Sequence, residues 1–340
     1  MEKPVRFGIC GLGFGAGRAR LISKTKGAEL VCVCDLQEDK AKKVAKELNC
    51  EWTTDYDEML RREDIDVVGV YTPSGMHAQH AIKAVKAGKH VFVAKPMDIR
   101  VDRCDELIDA AKEANVILAV DFGNRYNDIN QKVKLAIDNN RIGKVFLADL
   151  RYKNYRTQEY YEGGYPRSWR SRRETEGGSA ANQAVHSIDL YQWFLSANCG
   201  PVRTVYGMSG AFIHKIETED VSMALLTFKS GAWGTIVTTT ASIPPLGRSM
   251  EIHGDKGSIV WDGRNAKLYC KYDSEVSEVS LDEFKLPPNR PKNIVEDMIS
   301  AITKGTPVMC DGVEGRKSVA IFNAIYESSR TGRVIELDYL

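Results

Sequence analysis

Val5-Arg-Phe-Gly-Ile-Cys10 runs straight into Gly11-Leu-Gly13-Phe14-Gly15-Ala16-Gly17. An apolar, strand-like run followed by a glycine turn and a helix-compatible stretch is the arrangement that binds a dinucleotide pyrophosphate. Gly11 permits the tight turn, and Gly13 lets the backbone approach phosphates with no Cβ in the way. Ala16, at the third position of the fingerprint, is small enough for close helix–strand packing. The free N–H groups and positive dipole end of the following helix, around Phe14 and Gly15, then face the phosphates. A lone G-x-G-x-x-A is a weak signal. It gains weight because the next apolar run, Ala28-Glu-Leu-Val-Cys-Val-Cys34, ends in Asp35. A carboxylate at that strand tip accepts both ribose hydroxyls and repels a 2′-phosphate. Leu36 follows, rather than an arginine that could hold such a phosphate. The reading is NAD over NADP.

Outward from this stretch, residues 5–121 alternate between short β-rich runs and amphipathic helices. Candidate strands are 5–10, 28–35, 51–53, 67–71, 90–94 and 117–121, with helical stretches such as 40–48, 77–87 and 103–114 between them. That alternation implies a doubly wound parallel sheet, because parallel strands need crossover connections. Ligands of such sheets bind at the carboxyl ends of the strands. Gly11, Asp35, Thr72-Pro73 and Lys95-Pro96 each follow a strand directly, so they fall along one edge.

After Tyr126 the rhythm changes. A helix near 127–139, a strand near 144–152, a loop rich in Tyr, Arg and Gly, and a helix near 180–195 precede a run of strands. These are 202–212, 221–229, 232–241, 249–254, 257–262 and 266–272, several joined by short turns, which fits an antiparallel meander. Helices near 293–304 and 312–329 close the chain. The expected organisation is an NAD-binding Rossmann domain over 1–124 and a substrate-binding and oligomerisation domain over 125–340. The second is an α/β domain built on a large, mostly antiparallel open sheet. Strand 221–229 is apolar on both alternating faces, so one face needs a cover beyond the domain's own helices. A homodimer or homotetramer through this sheet is expected.

The length of 340 residues suits two domains. A net charge of +1 gives no global basic field, which argues against wholesale nucleic-acid binding. No apolar run reaches the length of a membrane span, and the N-terminus lacks a signal peptide's apolar core. None of the eight cysteines sits in a C-x-x-C pair, and Cys10, Cys32 and Cys34 lie inside apolar strands. A reduced, cytoplasmic protein without a metal site follows.

Three segments carry side chains suited to chemistry. Lys95 follows the fifth strand in Val91-Phe-Val-Ala94-Lys95-Pro96. Thr72-Pro73-Ser-Gly-Met-His77 follows the fourth. Gly177-Gly-Ser-Ala-Ala-Asn182-Gln-Ala-Val-His186-Ser-Ile-Asp189 opens a helix and sets Asn182 and His186 four apart on one face. With the glycine turn, these segments resemble the marks of the Gfo/Idh/MocA family of NAD(P)-dependent sugar and cyclitol oxidoreductases, and the similarity covers nearly the whole chain. The resemblance implies that Lys95 and His186 flank the reacting carbinol. An imidazole can accept the hydroxyl proton near neutral pH, and a nearby ammonium stabilises alkoxide character. It also implies that Thr72, Pro73, His77, Pro96 and Asn124 lie toward the cofactor, with His77 read chiefly as a structural residue at the start of its helix. Asn124 and Arg125 are expected to line the cleft between cofactor and substrate, as the corresponding stretch does in the family; a hinge with a salt-bridged arginine is the alternative. Two departures stand out. The family usually carries glutamate where Ala94 stands and often aspartate where Asn182 stands. An amide cannot ionise, so His186 is the acid/base and Asn182 a positioner.

The loop 151–173 interleaves seven cationic residues with Tyr152, Tyr155, Tyr160, Tyr161, Tyr165 and Trp169. Aromatic faces and forked guanidinium donors suit a sugar ring bearing hydroxyls and an anionic group. Tyr155, Trp169 and Arg170 are the substrate contacts expected here; a Trp-Arg pair recurs in the family's substrate-side loop, which leaves Arg172 and Arg173 as the distinctive cations. The expected activity is an NAD-dependent dehydrogenase of a sugar, glycoside or inositol. Two alternatives stand beside it: an NAD-requiring glycosidase acting by transient oxidation, and a non-catalytic sugar sensor on the same scaffold.

Overall fold

A computed structural model describes residues 3–273 and 275–339. The chain divides into two compact units, Met1–Gly123 with Pro291–Arg316, and Asn124–Arg290 with Lys317–Leu340.

The first unit is a six-stranded parallel sheet in the order β3-β2-β1-β4-β5-β6. Its elements are β1 (Val5–Cys10), α1 (Gly15–Ile22), β2 (Ala28–Cys34), α2 (Glu38–Leu48), β3 (Glu51–Thr53), α3 (Tyr56–Leu60), β4 (Val67–Val70), α4 (His77–Lys86), β5 (His90–Val93), α5 (Val101–Glu113) and β6 (Leu118–Val120). The central strands are covered on both faces, and β4, Val-Val-Gly-Val, is buried at every position, as inner parallel strands require. Phe7, Ile9 and Phe92 are fully buried, each worth about 1.5–3 kcal/mol relative to exposure. The doubly wound sheet expected from the alternation is the one observed, and its order reverses between β1 and β4.

The assignment of all of 125–340 to a second domain needs correction, because Pro291–Arg316 belongs to the first unit. The reason is edge coverage. Val120 N–H donates to the Cys310 carbonyl (2.8 Å) and Ala119 bridges Asp311, which gives the edge strand β6 a partner. Arg316 also pairs with Asp105 on α5.

The second unit holds α6 (Asp128–Asp138), β7 (Val145–Lys153), α7 (Gln158–Glu162), α8 (Val185–Cys199) and strands β8 (Val202–Gly210), β9 (Val221–Phe228), β10 (Trp233–Thr239), β11 (Gly247–Gly254), β12 (Gly257–Trp261), β13 (Ala266–Tyr272), β14 (Glu275–Val279) and β15 (Ile335–Glu336). Its nine-stranded sheet runs β14-β13-β12-β11-β7-β10-β9-β8-β15 and is antiparallel except at β7–β10. The expected meander is therefore interrupted: β7 lies between β10 and β11. Its Ala148, Leu150 and Tyr152 are buried, and the Ala148 carbonyl takes the Tyr191 hydroxyl of α8 (2.9 Å). That helix is buried on most sides, with Ser187, Asp189 and Gln192 buried among its apolar residues. The opposite face of the sheet exposes Tyr206, Met208, Met223, Leu225 and Trp233. No helix among the described residues is long and apolar enough to cross a membrane, and all eight cysteines are free thiols.

Candidate active site

In the first unit the glycine turn is built for an anionic guest. Gly11 has φ +87°, and a Cβ there would lie 2.4 Å from the Tyr71 carbonyl oxygen, so only glycine fits. At Gly13 a Cβ would meet nothing within 4 Å: the backbone faces open space at the start of α1. Ala16 is buried in α1, and at Gly15 a Cβ would crowd Tyr71 and Ile9 at 3.0–3.1 Å, a close helix–strand approach. Phe14, which precedes α1, is 78% exposed.

Asp35 is tied to this turn. Its Oδ2 accepts the Leu12 N–H (2.7 Å) and lies 3.1 Å from Lys40 Nζ, while Oδ1 accepts the Gln37 N–H (2.9 Å). A carboxylate has about four lone-pair sites, so Asp35 retains acceptor capacity at the second strand tip. A further cluster braces the same edge: Arg18 Nε (2.5 Å) and the Tyr71 hydroxyl (2.5 Å) both donate to Asp121 Oδ2. These contacts tie α1 to the ends of β4 and β6.

His77 joins the two loops beyond β4 and β5. It is buried, with Nδ1 2.7 Å from the Pro96 carbonyl oxygen and Nε2 2.7 Å from that of Thr72. Burial pulls its pKa down to about 4, with the Lys95 charge adding to the effect against the two carbonyls. It therefore fixes Thr72-Pro73 relative to Lys95-Pro96. The Thr72 Oγ1 is buried without a hydrogen-bond partner among the described residues. Such orphaned atoms call for an explanation, and a bound nucleotide supplies one. The open cradle at Gly13, the Asp35 strand tip and the Thr72 hydroxyl all fit a dinucleotide.

In the second unit Asn182 does not lie in a regular α-helix. Ser179–Ala184 forms a wide π-type turn that leads into α8, with His186 at the second position of that helix. Such turns concentrate at functional sites. Asn182 Oδ1 accepts from Gln183 Nε2 (2.5 Å) and the Tyr160 hydroxyl (3.4 Å); this assignment makes Nδ2 the donating edge of the amide. Beneath the turn sits Glu219, which sequence reasoning missed. Its Oε1 accepts the Ala180 N–H (2.8 Å) and the hydroxyls of Tyr326 (3.0 Å), Ser222 (3.2 Å) and Ser179 (3.3 Å). Burial nonetheless drives its pKa up to about 7.

Arg125 departs from its expected place on the substrate. It is 1% exposed and pairs bidentately with Asp189 (Nη2–Oδ1 2.7 Å, Nε–Oδ2 3.0 Å), its guanidinium 5.2 Å from the Trp193 ring centroid. A buried arginine needs such a partner, and Asp189 supplies it. Asn124 accepts Asn130 Nδ2 at its carbonyl (2.9 Å). In the 151–173 loop Trp169 and Arg170 stack on each other, 4.6 Å from guanidinium to ring, and Tyr155 is half-buried beside Asn154. Arg172 and Arg173 are exposed, and Arg173 Nη2 donates to the Glu217 carbonyl (2.8 Å). Among the described residues no group of three or more His, Cys, Asp or Glu could hold a metal ion.

Residues 5–122 match the family of oxidoreductases with an NAD-binding Rossmann fold, and residues 130–260 match the GFO/IDH/MocA C-terminal domain. The chain belongs to the Gfo/Idh/MocA family. The scyllo-inositol 2-dehydrogenase (NAD(+)) of Bacillus subtilis (strain 168) is 31% identical over 268 residues, 76% of this chain and 74% of that protein. The myo-inositol 2-dehydrogenase of Thermotoga maritima is 24% identical, over 98% of this chain and 99% of its own. Among solved structures, the WlbA dehydrogenase from Bordetella pertussis in complex with NADH and UDP-GlcNAcA is 30% identical, with a TM-score of 0.87 over 99% of this chain and 100% of that one. The protein is thus an oxidoreductase on an NAD-binding fold whose relatives include inositol and sugar dehydrogenases.

Proposed function

We propose that the protein is an NAD-dependent dehydrogenase acting on a secondary hydroxyl of a sugar, glycoside or inositol. In this reading His186 is the acid/base and Lys95 its electrostatic partner. The observation that carries it is the cradle at Gly13, held by Asp35 at the tip of the second strand. It suits a pyrophosphate and an adjacent ribose diol. The nicotinamide, when bound, supplies the hydride acceptor. His186 takes the hydroxyl proton, a role typically worth about 10²–10⁴ in rate, and the Lys95 ammonium stabilises the developing alkoxide. Asn182 cannot ionise, and its place here is to orient the substrate, its Oδ1 held by Gln183 and Tyr160. Asp35 favours NAD over NADP. The exposed apolar sheet face is the contact with a second copy of the chain.

The test is NADH fluorescence after NAD is added with cyclitols, neutral sugars, uronates, sugar phosphates, nucleotide sugars (including the UDP-GlcNAcA of the WlbA complex) and aryl glycosides. Net NADH with one class supports the proposal. Aryl alcohol released without net NADH assigns a glycosidase. Silence on every class, with NADH still bound, favours the sensor, for which Ala94 and Asn182 in place of the usual acids are the supporting features. His186→Ala should lower kcat about 10³-fold and leave the NADH Kd within about twofold; full turnover in that variant removes His186 from the chemistry.

A further inference from the structure

We propose that Arg156 and Arg170, packed on Tyr160 beside Asn182, form a subsite for an oxyanion carried by the substrate sugar, a carboxylate or a phosphate. The inference rests on the dehydrogenase reading, which places the substrate at Asn182. The guanidinium carbons of Arg156 and Arg170 lie 5.1 and 4.9 Å from the same Tyr160 ring centroid, and Trp169 holds Arg170 as well. Three other buried or half-buried arginines hold carboxylates: Arg18 takes Asp121, Arg125 Asp189 and Arg316 Asp105. Half-buried Arg103 and Arg248 instead donate to the Gly75 and Gly263 carbonyls. Among the described residues neither Arg156 nor Arg170 forms an ion pair, and the Nε of each is buried with no hydrogen-bond partner. Buried donors left unmade are costly. Two like charges around one ring add repulsion that aromatic contact offsets only in part. An oxyanion cancels both costs, since a guanidinium fork matches carboxylate and phosphate oxygens. The Glu176 carboxyl, whose charge reaches Tyr160, is buried and accepts the Gly177 N–H at Oε1 (3.2 Å).

The subsite is held rather than improvised. Arg156 N–H donates to the Thr240 carbonyl (2.8 Å), and its own carbonyl meets His214 Nε2 (2.8 Å). The His214 Nδ1 lies 3.1 Å from Asp220 Oδ2, a carboxylate that also takes the N–H groups of Phe212, Ile213 and His214. Arg156 Nη2 donates to Gln183 Oε1 (2.7 Å), and Gln183 Nε2 donates to Asn182 Oδ1 and to the Tyr160 hydroxyl (2.8 Å). The anion site is therefore two side-chain steps from the residue proposed to orient the carbinol. Arg172 and Arg173, the more conspicuous cations in the sequence, stand outside this network.

Calorimetric titration of the NADH-loaded full chain tests the subsite. The ligands are uronates, sugar 6-phosphates and their neutral parents in gluco, galacto, manno and 2-acetamido forms. At least one acid should bind about tenfold or more tighter than its parent, with affinity falling as salt rises. Arg156→Gln and Arg170→Gln should each remove about tenfold of the acid's advantage over its neutral parent, with NADH affinity unchanged. Preference for the uronate assigns a carboxylate, and preference for the phosphate ester assigns a phosphate. No acid binding tighter than its parent overturns the proposal, as does unaltered acid binding in the double variant with NADH affinity intact. Arginine-dependent acid binding with no NADH formed from any sugar would refute the dehydrogenase reading and leave the subsite standing.

Discussion

Glu219→Gln should remove part of the pH dependence of the second unit's stability. The Glu219 carboxyl receives four donors at Oε1, yet burial outweighs them and raises its pKa from an ordinary 4.5 to about 7. The sign follows from proton uptake. The folded chain keeps a proton that the unfolded chain releases, so this contribution is fully present below about pH 4.5 and is lost as pH rises through about 7. The two values differ by about 3 kcal/mol in total, of which about 2.5 kcal/mol falls between pH 5 and 8. Glutamine keeps the carbonyl acceptor and the volume but has no proton to lose. Urea unfolding of both proteins from pH 5 to 8, followed by tryptophan fluorescence, reads this out. Trp169, Trp193, Trp233 and Trp261 lie in the second unit and only Trp52 in the first. The stability of wild type relative to variant should fall by about 2.5 kcal/mol across that range. A difference constant to within about 0.5 kcal/mol would refute the claim that the native carboxyl is protonated at mild acid pH.

Three other perturbations probe the same architecture. Gly178→Ala would place a Cβ 1.9 Å from Glu219 Oε2 and 2.1 Å from the Glu219 carbonyl oxygen, so it should cost about 1–3 kcal/mol in urea unfolding; an unchanged midpoint contradicts the packing described. Asp35→Asn removes the repulsion of a 2′-phosphate and releases Lys40 from its 3.1 Å ion pair, so the ratio of NADPH to NADH affinity should rise about tenfold; titration of both reduced cofactors checks it, and an unmoved ratio takes Asp35 out of cofactor choice. Leu225→Glu puts a charge into the exposed Tyr206–Met208–Met223–Leu225–Trp233 face and should turn an oligomer into a monomer by light scattering at micromolar concentration. A wild type already monomeric there ends the oligomer proposal.

The first sheet was legible because each of its signals is local. Continuous apolar runs such as Val67–Val70 and Val91–Val93 read as buried parallel strands, and Gly11 with Asp35 marks the turn at which ligands of such sheets bind. The second sheet was legible only as a set of strands. Nothing in Val145–Lys153 itself says that it separates β10 from β11, because that pairing joins residues 86–109 apart in the chain. Pro291–Arg316 escaped for the same reason: its attachment to the first unit depends on an edge strand that needs covering, which no local pattern announces.

The candidate site divides along the same line. Lys95, His186 and Asn182 are proposed from resemblance alone, because motif spacing survives in sequence. Their supporting groups were not readable. Asp189 stood in the same motif as His186, but its partner Arg125 lies 64 residues earlier, where a salt-bridged arginine was one of two readings and its carboxylate could not be named. Glu219 reaches the turn at Gly178–Ala180 from 40 residues away, and in sequence it is one acid before a strand. Arg156 is the sharpest case. Seven cationic residues stand between 151 and 173, and composition cannot rank them; packing on Tyr160 and buried Nε atoms without hydrogen-bond partners single out Arg156 and Arg170. On the proposed reading, charge within the loop points to an anion, and the guanidiniums that meet it are the two whose Nε atoms the fold buries without a hydrogen-bond partner.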